Sequence, residues 1–289
     1  MPELPEVEVV KKSLQRKVVN LVIKKVQIND DNLRYKVNKK KIFKLIGRKI
    51  KKIHRRSKFL IFETNCKFYL LVHLGMTGKF FFIDEKHKNF KTSFYYEIDR
   101  KKDKKHDRVI FFFQNKQKLI YNDVRKFGFI KIFKDNQYLS NFHLKNLGPE
   151  PLNKNWNPIY FSKYIVGRKR SIKSILMDQK CISGLGNIYV NEILFESGVK
   201  PDRKVAKLKK LEINKIIVNS KKILRNAINR GGSSIKDFSS DNGKKGNFQQ
   251  FFNVYGLEGK KCSNTDCNMK IIRTVIENRA TFFCKKCQK

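Results

Sequence analysis

The spacing of hydrophobic residues begins with a helical period. Apolar residues recur there at steps of three and four, at Leu4, Val7, Val10, Leu14 and Val18. This period places them on one face of a helix, so a helix is predicted over residues 3–19. A proline fits its first turn because the N–H that proline lacks is not needed there.

From about residue 21 to residue 135 the pattern changes to short alternating or apolar runs separated by turns, such as KFLIFET, FYLLVHLGM and RVIFFF. Many short strands at turn spacing are typical of a β-sandwich or a β-barrel. Longer amphipathic runs return after about residue 160, among them RSIKSILMDQ and NIYVNEILFESG, which are separated by ISGLG. A third run ends at Gly231 and Gly232, which are typical helix stops. The chain is therefore predicted to be α+β, with two domains.

These changes of pattern set the expected boundaries. An N-terminal domain covers residues 1–135, and a linker over 136–158 contains the proline-bearing NLGPEPL. A helical domain follows at 159–232. The stretch 233–250 has few apolar anchors and is expected to be a mobile loop, and residues 251–289 form a small C-terminal module.

Four of the six cysteines lie in two close pairs within that module, Cys262-x4-Cys267 and Cys284-x2-Cys287. Two short loops that each offer two sulfurs to one point suit a tetrahedral zinc ion. The intervening KIIRTVIENRATFF alternates and turns near its Glu-Asn pair, which predicts a β-hairpin. The alternatives are two disulfides or free cysteines, and a reducing compartment favours zinc over both. Four sulfur ligands leave no open position for a catalytic water, so such a zinc would be structural.

Charge narrows the class of partner. The chain has 289 residues, with 66 Lys and Arg against 25 Asp and Glu, a net charge of +41. A compact chain with this charge repels itself unless a polyanion is near, so nucleic acid is the leading partner and a membrane surface the second. The apolar runs are of strand length, far below the roughly 20 residues that span a bilayer. The acidic start is unlike a secretory signal, and we expect a cytoplasmic protein.

The chain begins with MPELPEVE, whose carboxylates lie at the positive end of the predicted helix dipole. A chemical interpretation stands beside this structural one. Methionine before a small residue such as proline is normally removed, which would leave Pro2 with a free secondary amine. An α-amine titrates near about 8, so it is neutral at pH 7 more often than a lysine is. Its attack on an aldehyde carbon gives an iminium ion, with the neighbouring Glu3 to move a proton.

Six motifs occur in one order along the chain, namely PELPEVE, HLGMTG, DVRKFG, NLGPEPL, GLGNIY and NRATFFCKKCQK. Together they resemble the bacterial formamidopyrimidine-DNA glycosylase family, whose enzymes remove 8-oxoguanine and ring-opened purines. Leu4 resembles this branch rather than the related endonuclease VIII enzymes, in which glycine is usual there. The resemblance implies an N-terminal β-sandwich with a long N-terminal helix, and a helix–two-turn–helix domain that ends in a zinc-finger β-hairpin.

The resemblance also implies a bifunctional glycosylase and lyase. In the family the N-terminal proline, here Pro2, displaces the damaged base at the sugar C1′ and forms a Schiff base. Glu3 matches the general acid, and Glu6 matches a second carboxylate near the same site. Elimination of the 3′ and then the 5′ phosphate follows. Lys58 of RRSKFL, which matches a strand lysine, and Arg279 of NRATFF are implied to contact phosphate and to assist elimination.

Further residues are assigned to DNA by the same resemblance. A flipped-out base leaves a hole in the duplex, and Met76, Arg125 and Phe127 match the three residues that fill it. The other implied DNA contacts are His106, Arg168, Lys173 and Asn187. In the loop over 233–250, which resembles a lid above the flipped base, the implied contacts are Ser234 and Lys236.

Two positions depart from the family pattern that the resemblance supplies. The usual Asp-Pro-Arg before the stacking phenylalanine reads Asp-Val-Arg, with Val124 in place of the proline. The usual His-Asp-His reads His106-Asp107-Arg108. Both changes lie next to residues that the resemblance assigns to DNA.

Two other functions fit parts of the pattern. A zinc-containing DNA-binding protein without catalysis would have the same charge, hairpin and helix pair, but it would have no use for a free proline amine. An endonuclease VIII-like enzyme for oxidised pyrimidines would keep the chemistry, and the three filling residues argue against it because those relatives use different ones. The expected partner is damaged double-stranded DNA, bound by a monomer that holds one structural Zn²⁺.

Overall fold

A computed structural model describes residues 1–84, 103–114, 116–233 and 248–289. The chain falls into two compact units. The first unit consists of Met1–Lys145 and Arg230–Gln249, and the second of Asn146–Asn229 and Gln250–Lys289. Within the described ranges, no helix is long and apolar enough to cross a membrane.

The first unit begins with helix α1, Leu4–Val18, which confirms the helix predicted from the apolar period. A capping box closes its start. The backbone N–H of Glu3 donates to Glu6 Oε2 at 2.9 Å, and the Glu3 side chain accepts from the backbone of Glu6. Such a reciprocal pair satisfies N–H groups that the first helical turn leaves without intrahelical partners. The helix start is therefore fixed by the two carboxylates of greatest chemical interest.

Among the described residues of this unit, two four-stranded antiparallel sheets follow the helix. One sheet has the order β1-β6-β7-β5, formed by Ile23–Ile28, Asp107–Phe113, Lys118–Asn122 and Lys79–Ile83. The other has the order β2-β3-β4-β8, formed by Ile50–Arg56, Phe59–Thr64, Phe68–His73 and Phe129–Lys134. Both sheets and α1 contribute side chains to one buried core. This arrangement is the β-sandwich with a long N-terminal helix, as expected.

Strand register brings two loops of the sandwich together. His73 at the end of β4 is paired with Phe129 at the start of β8, and Lys79 at the start of β5 is paired with Asn122 at the end of β7. The β4–β5 loop and the β7–β8 loop therefore leave the sandwich side by side. Gly75 lies where the loops touch: its φ is +60°, and a Cβ there would collide with the backbone around Gly128.

Short helices accompany the strands in the first unit, and longer ones build the second. In the part of the first unit that the structure describes, α1 is followed by α2 (Lys39–Ile42) and α3 (Phe142–Lys145). The second unit contains α4 (Pro158–Ile165), α5 (Ile172–Met177), α6 (Asn187–Glu196) and α7 (Lys210–Asn229). The fully buried Trp156 ties the start of this bundle to α7 by donating from Nε1 to Ser220 Oγ at 2.8 Å.

A β-hairpin follows the helices. Strands β9 (Ile272–Ile276) and β10 (Arg279–Phe283) are antiparallel, and the two residues between them, Glu277 and Asn278, both have positive φ. Two left-handed residues are typical of the type I′ turn that closes tight hairpins. The predicted hairpin is confirmed.

Helix α6 holds the hairpin and the segment that leads to it. The N–H of Phe282 donates to Asn191 Oδ1 at 2.9 Å. The buried carboxylate of Glu192 accepts from the N–H groups of residues 253–255 at 2.8 to 3.1 Å. Burial raises the pKa of Glu192, while these backbone hydrogen bonds act in the opposite direction. A short polar stripe on one helix therefore orients the cysteine-bearing module.

Candidate functional site

Two buried carboxylates lie beside the start of the chain. Pro2, Glu3 and Glu6 are all buried, whereas Met1 is exposed. Besides the helix cap, Glu6 accepts through Oε1 from the N–H and the hydroxyl of Ser233 at 2.9 and 3.0 Å. Glu6 is thereby held by donors from two distant parts of the same unit. The first candidate catalytic residues are thus brought together as the sequence predicted.

The electrostatics of the terminal amine identify its neighbours. Burial is the largest cause that lowers the pKa of the Met1 α-amine below its usual 8.0. Glu3 and Glu6 oppose this shift, and Lys58 and Arg125 add to it. Charges influence one another this way only at short range in a protein in salt water. The chain start therefore shares one neighbourhood with two carboxylates and two cations, and burial favours the neutral form of the Met1 amine.

Lys58 lies in the turn between β2 and β3, directly before β3, rather than within a strand as the family pattern implied. Arg55 fixes this turn. Its Nε donates to Glu8 Oε2 at 2.7 Å, and its Nη1 donates to the carbonyl oxygen of Ser57 at 2.9 Å. Arg55 therefore connects α1 to the turn that carries Lys58. Sequence reasoning missed it, because an arginine in a basic run has no local signal that distinguishes it from a solvated one.

The two adjacent loops of the sandwich carry the three predicted hole-filling residues. Met76 in the β4–β5 loop is 40% exposed, and Phe127 in the β7–β8 loop is 44% exposed. The guanidinium of Arg125 lies over the Phe127 ring, 4.6 Å from its centroid. The structure thus brings one flexible apolar side chain, one cation and one aromatic ring onto neighbouring loops.

Asp123 is the buried support of these loops. Its Oδ1 accepts from Thr77 Oγ1 at 2.6 Å, and its Oδ2 accepts from the Gly128 N–H at 2.8 Å and from the Tyr121 hydroxyl at 3.3 Å. Thr77 Oγ1 in turn accepts from the N–H of Arg125 at 3.0 Å. One carboxylate therefore joins both loops. The motif DVRKFG contained this residue, but nothing local in it indicated that the carboxylate would be buried.

His73 supports the β4–β5 loop from its own side. Its Nδ1 accepts from the N–H of Gly75 at 3.1 Å. Burial, assisted by the charge of Lys58, lowers the pKa of His73 to about 3. The ring therefore stays neutral near pH 7 and keeps a nitrogen available as an acceptor. His106 belongs to the His-Asp-Arg motif that differs from the family pattern. It is half-buried in the turn that precedes β6, and its Nδ1 lies 3.2 Å from Arg108 Nη2.

In the second unit, three predicted residues converge on one strand. Asn187 begins α6 and donates from Nδ2 to the carbonyl oxygen of Ala280 at 2.9 Å. Lys173 donates to the same oxygen at 3.0 Å and to Thr281 Oγ1 at 2.6 Å. Arg279, the residue before this pair, is exposed at the start of β10. Two residues predicted to contact phosphate thus hold the strand that carries the third.

Lys173 differs most from its expected environment. The sequence placed it along the DNA backbone, yet it is only 1% exposed and its ammonium contacts the hairpin. Burial is the main cause that lowers its pKa to about 8, and the charge of Arg279 adds to the shift. Arg168 is exposed, as expected, with its guanidinium over the Tyr164 ring at 4.2 Å. Ser234 and Lys236 lie outside the described residues.

The four predicted cysteines form one cluster. Their sulfur atoms all lie within 4.8 Å of one another. The closest pairs are Cys262–Cys287 at 3.7 Å and Cys267–Cys284 at 3.6 Å, each joining one cysteine from either sequence pair. Tetrahedral zinc with bonds of about 2.3 Å has sulfur–sulfur edges of about 3.8 Å. The cluster therefore fits a four-thiolate metal site, and none of these cysteines is in a disulfide.

Comparison with protein families agrees with both units. The model of the formamidopyrimidine-DNA glycosylase N-terminal domain matches residues 1–130, and that of the formamidopyrimidine-DNA glycosylase H2TH domain matches residues 147–239. These matches indicate two domains, the N-terminal domain of that family followed by its helix–two-turn–helix domain. Full-length relatives support the same assignment.

Formamidopyrimidine-DNA glycosylase of Rickettsia felis is 40% identical over 288 residues, covering 100% of this chain and 98% of the relative. That of Rickettsia bellii is 39% identical over 289 residues, with full coverage of both chains. The chain therefore belongs to the formamidopyrimidine-DNA glycosylase family. The resemblance found in the motifs is confirmed.

Solved structures agree in fold. A Lactococcus lactis Fpg in complex with DNA containing an abasic site has a TM-score of 0.84 and 33% identity, with 99% of each chain covered. The Lactococcus lactis FPG in complex with DNA containing FAPY-dG has the same TM-score and identity, covering 99% of this chain and 100% of that one. The fold predicted from the sequence is thus the fold of proteins that bind damaged DNA.

Proposed function

We propose that this chain is a bifunctional DNA glycosylase and abasic-site lyase that excises oxidised purines, including 8-oxoguanine and formamidopyrimidines, from duplex DNA. The observation that carries the proposal is that Pro2, Glu3 and Glu6 are buried together at the chain start, where Lys58 also acts on the terminal amine of Met1. A protein that only binds DNA needs no proline beside two buried carboxylates at its start. Membership of the family and the likeness to DNA-bound relatives support the same function.

The proposed chemistry begins after removal of Met1. The Pro2 nitrogen attacks C1′ of the deoxyribose, and the bond from C1′ to the base breaks with its electron pair leaving on the base. The proton lost from the attacking nitrogen neutralises the departing base. Glu3 then protonates O4′ as the C1′–O4′ bond breaks and the sugar ring opens, and the lone pair of the nitrogen forms the iminium ion. Loss of a proton from C2′ expels the 3′ phosphate, and a second elimination expels the 5′ phosphate. Hydrolysis of the iminium ion returns the free amine.

The remaining residues of the first unit have proposed roles in binding. Glu6 orients the chain start through the Glu3 N–H. Lys58 contacts phosphate and assists elimination from its fixed turn. Extruding a base costs a few kcal/mol, and filling the hole recovers part of that cost. We assign the wedge to Met76, the stacking ring to Phe127, and the hydrogen bond to the unpaired base to Arg125.

The second unit would grip the backbone. We infer that Asn187 and Arg279 contact phosphates and that Arg279 assists the last elimination. Since the ammonium of Lys173 is buried against Ala280 and Thr281, we assign it to holding the Arg279 strand. Arg168 and His106 remain proposed DNA contacts, and Ser234 and Lys236 remain proposed contacts of the lid. The proposed domain limits are those expected from the sequence.

The metal that fits the four-thiolate cluster best is zinc, held by Cys262, Cys267, Cys284 and Cys287. It would stabilise the hairpin and take no part in the reaction, since sulfur fills all four positions. We further propose that the protein acts as a monomer in the cytoplasm, together with the chromosomal DNA. Each of these proposals follows from the family assignment and from the donor set.

Borohydride trapping tests the function directly. The processed protein is mixed with a duplex that contains 8-oxoguanine opposite cytosine, and borohydride reduces the iminium ion to a stable protein–DNA adduct. We expect an adduct with the native terminus and none with Pro2→Gly or with a retained N-terminal tag. A duplex with an oxidised pyrimidine is the specificity control and should trap less. Correctly processed protein that gives no adduct with either duplex would leave only a DNA-binding role.

A further inference from the structure

Arg108 has no proposed part in the chemistry, yet its buried side chain joins three separate groups beside the loops of Met76 and Phe127. The residue is 7% exposed on β6. Its Nε donates to the Asp123 carbonyl oxygen at 2.9 Å, and its Nη1 pairs with Asp30 Oδ2 at 2.9 Å. Its Nη2 lies 3.2 Å from His106 Nδ1. A buried guanidinium is costly unless its donors are engaged, and here three nitrogens have three separate partners.

The first partner begins the β7–β8 loop. Arg108 Nε holds the carbonyl group of Asp123, while the Asp123 N–H donates to the His106 carbonyl oxygen at 3.1 Å. The Asp123 carboxylate is held by Thr77, Tyr121 and Gly128, as described above. The peptide groups on both sides of Asp123 are therefore fixed to β6 and to the turn before it. The next residues along the loop are the exposed Val124 and then Arg125.

The second partner reaches the same loop further along. Asp30 Oδ2 lies 2.9 Å from Arg108 Nη1 and 2.7 Å from Lys126 Nζ. The hydrogen bond from Lys126 is the main cause that lowers the pKa of Asp30, and the charge of Arg108 adds to it. Asp30 thus remains ionised near pH 7 and bridges the two cations. The loop is held before Arg125 through Asp123 and after it through Lys126.

The third partner is the His106 ring. Because Nδ1 accepts from Arg108 Nη2, the ring proton lies on Nε2. Partial burial and the charge of Arg108 both lower the pKa of His106, so the ring is a neutral donor through Nε2. Arg108 therefore sets both the orientation and the tautomer of this histidine.

We propose that Arg108 is a positioning residue for recognition of the base opposite the lesion, holding the loop of Arg125 and Phe127 and the ring of His106 as one unit. The proposal deepens the proposed function and rests on it. The family pattern has histidine at this position, and an imidazole has two ring nitrogens, too few to engage three separate partners. The linked arrangement therefore depends on the arginine at this position. It gives the loop a rigid support where valine replaces the family proline at position 124.

Loss of Arg108 would free the Asp123 carbonyl group and leave Asp30 with Lys126 and the Asn32 N–H as partners. The exposed part of the loop would then sample more orientations, and a directional hydrogen bond to the unpaired base would weaken. The nucleophile and its carboxylates are held by other contacts. The change should therefore fall on discrimination between opposite bases rather than on the chemistry of the amine.

The test compares single-turnover release of 8-oxoguanine opposite cytosine and opposite adenine. Arg108→Met should lower the cytosine-to-adenine rate ratio by about tenfold, which is typical for losing a charged hydrogen bond. Arg108→Lys keeps the charge but not the planar fork, so it should restore the ratio only in part. Lys104→Met, at an exposed position in the preceding turn, is the matched loss of one positive charge and should keep the wild-type ratio.

Borohydride trapping on a single-stranded abasic oligonucleotide runs in parallel, because it reports the amine without an opposite base. An unchanged ratio in folded Arg108→Met would overturn the proposal, as would a wild-type ratio near one. Equal slowing on both duplexes and on the single strand would mean general damage and would also overturn it. If thermal unfolding shows that Arg108→Met does not fold, Asp30→Asn should lower the ratio in the same direction. Wild-type protein that traps no DNA at all would instead reject the proposed function.

Discussion

The two units support their exposed candidate residues with buried groups of opposite charge. In the first, Asp123 is fully buried and its carboxylate accepts from Thr77, Tyr121 and Gly128, below the loop of Arg125. In the second, Lys173 is buried and its ammonium donates to Ala280 and Thr281, beside Arg279. Asp123 lies two residues before Arg125, and Lys173 contacts the two residues that follow Arg279.

The difference between these anchors is their set of partners. The Asp123 carboxylate accepts hydrogen bonds from three donors on three different residues. The ammonium of Lys173 has two neutral acceptors, and its pKa falls to about 8. The second anchor is therefore easily titrated, and the hairpin it holds has the four-thiolate cluster as an additional support. The loops of the first unit rest on polar contacts of Asp123, His73 and Arg108, and the hairpin of the second rests on polar contacts together with the four-cysteine cluster.

The largest expected effect comes from removing the metal. Structural zinc contributes on the order of 10 kcal/mol to the folding of small modules, so chelation or Cys284→Ser should unfold the β9–β10 hairpin. Far-ultraviolet circular dichroism and metal content would be measured together, with duplex affinity as the functional readout. Cys66→Ser, outside the cluster, is the control and should keep the metal. A metal-free protein with an intact hairpin would contradict the assignment.

Replacing the two anchors should give a smaller and unequal loss. Asp123→Asn replaces one carboxylate oxygen by an NH₂ group, which would face the donors that the oxygen now accepts from. The substitution should lower the unfolding free energy by about 3 kcal/mol. Lys173→Met fills a similar volume without a buried charge, so about 1 kcal/mol or less is expected. Urea unfolding measures both. Equal losses of unfolding free energy in the two variants would show that Asp123 and Lys173 are equivalent supports.

A pH dependence in the second unit should be smaller than the effect of Asp123→Asn. The folded pKa of Lys173 is about 8, and an unfolded lysine titrates near about 10.4. Between these values the unfolded state binds more protons, so stability rises with pH there. The unfolding free energy of wild type minus that of Lys173→Met should grow by about 2 kcal/mol between pH 8 and pH 10. Lys180→Met, at an exposed lysine, should give a flat difference, and a flat result for Lys173→Met would contradict the assigned burial.

Local pattern was sufficient for the elements that depend only on near neighbours. The three–four period of Leu4 to Val18 is a property of one helix face, and α1 follows it. Within each pair the two cysteines are separated by only a few residues, so the local backbone is enough to place their two sulfur atoms close together. Motif resemblance added the identities of Pro2, Glu3 and the filling residues, whose roles no periodicity could indicate.

Register and burial decided the rest. Arg108 meets Asp30 across 78 residues, and Lys173 meets Thr281 across 108. In the sequence both residues look like other basic residues of a strongly basic chain. Only the pairing of β4 with β8 and of β5 with β7 places Thr77 against Asp123, and only the packing of α5 beside the hairpin removes Lys173 from solvent. The sequence by itself therefore determined the elements, the family and the cysteine cluster. Tertiary structure alone selected which charged groups became buried supports, because such contacts depend on distant segments that leave no local mark.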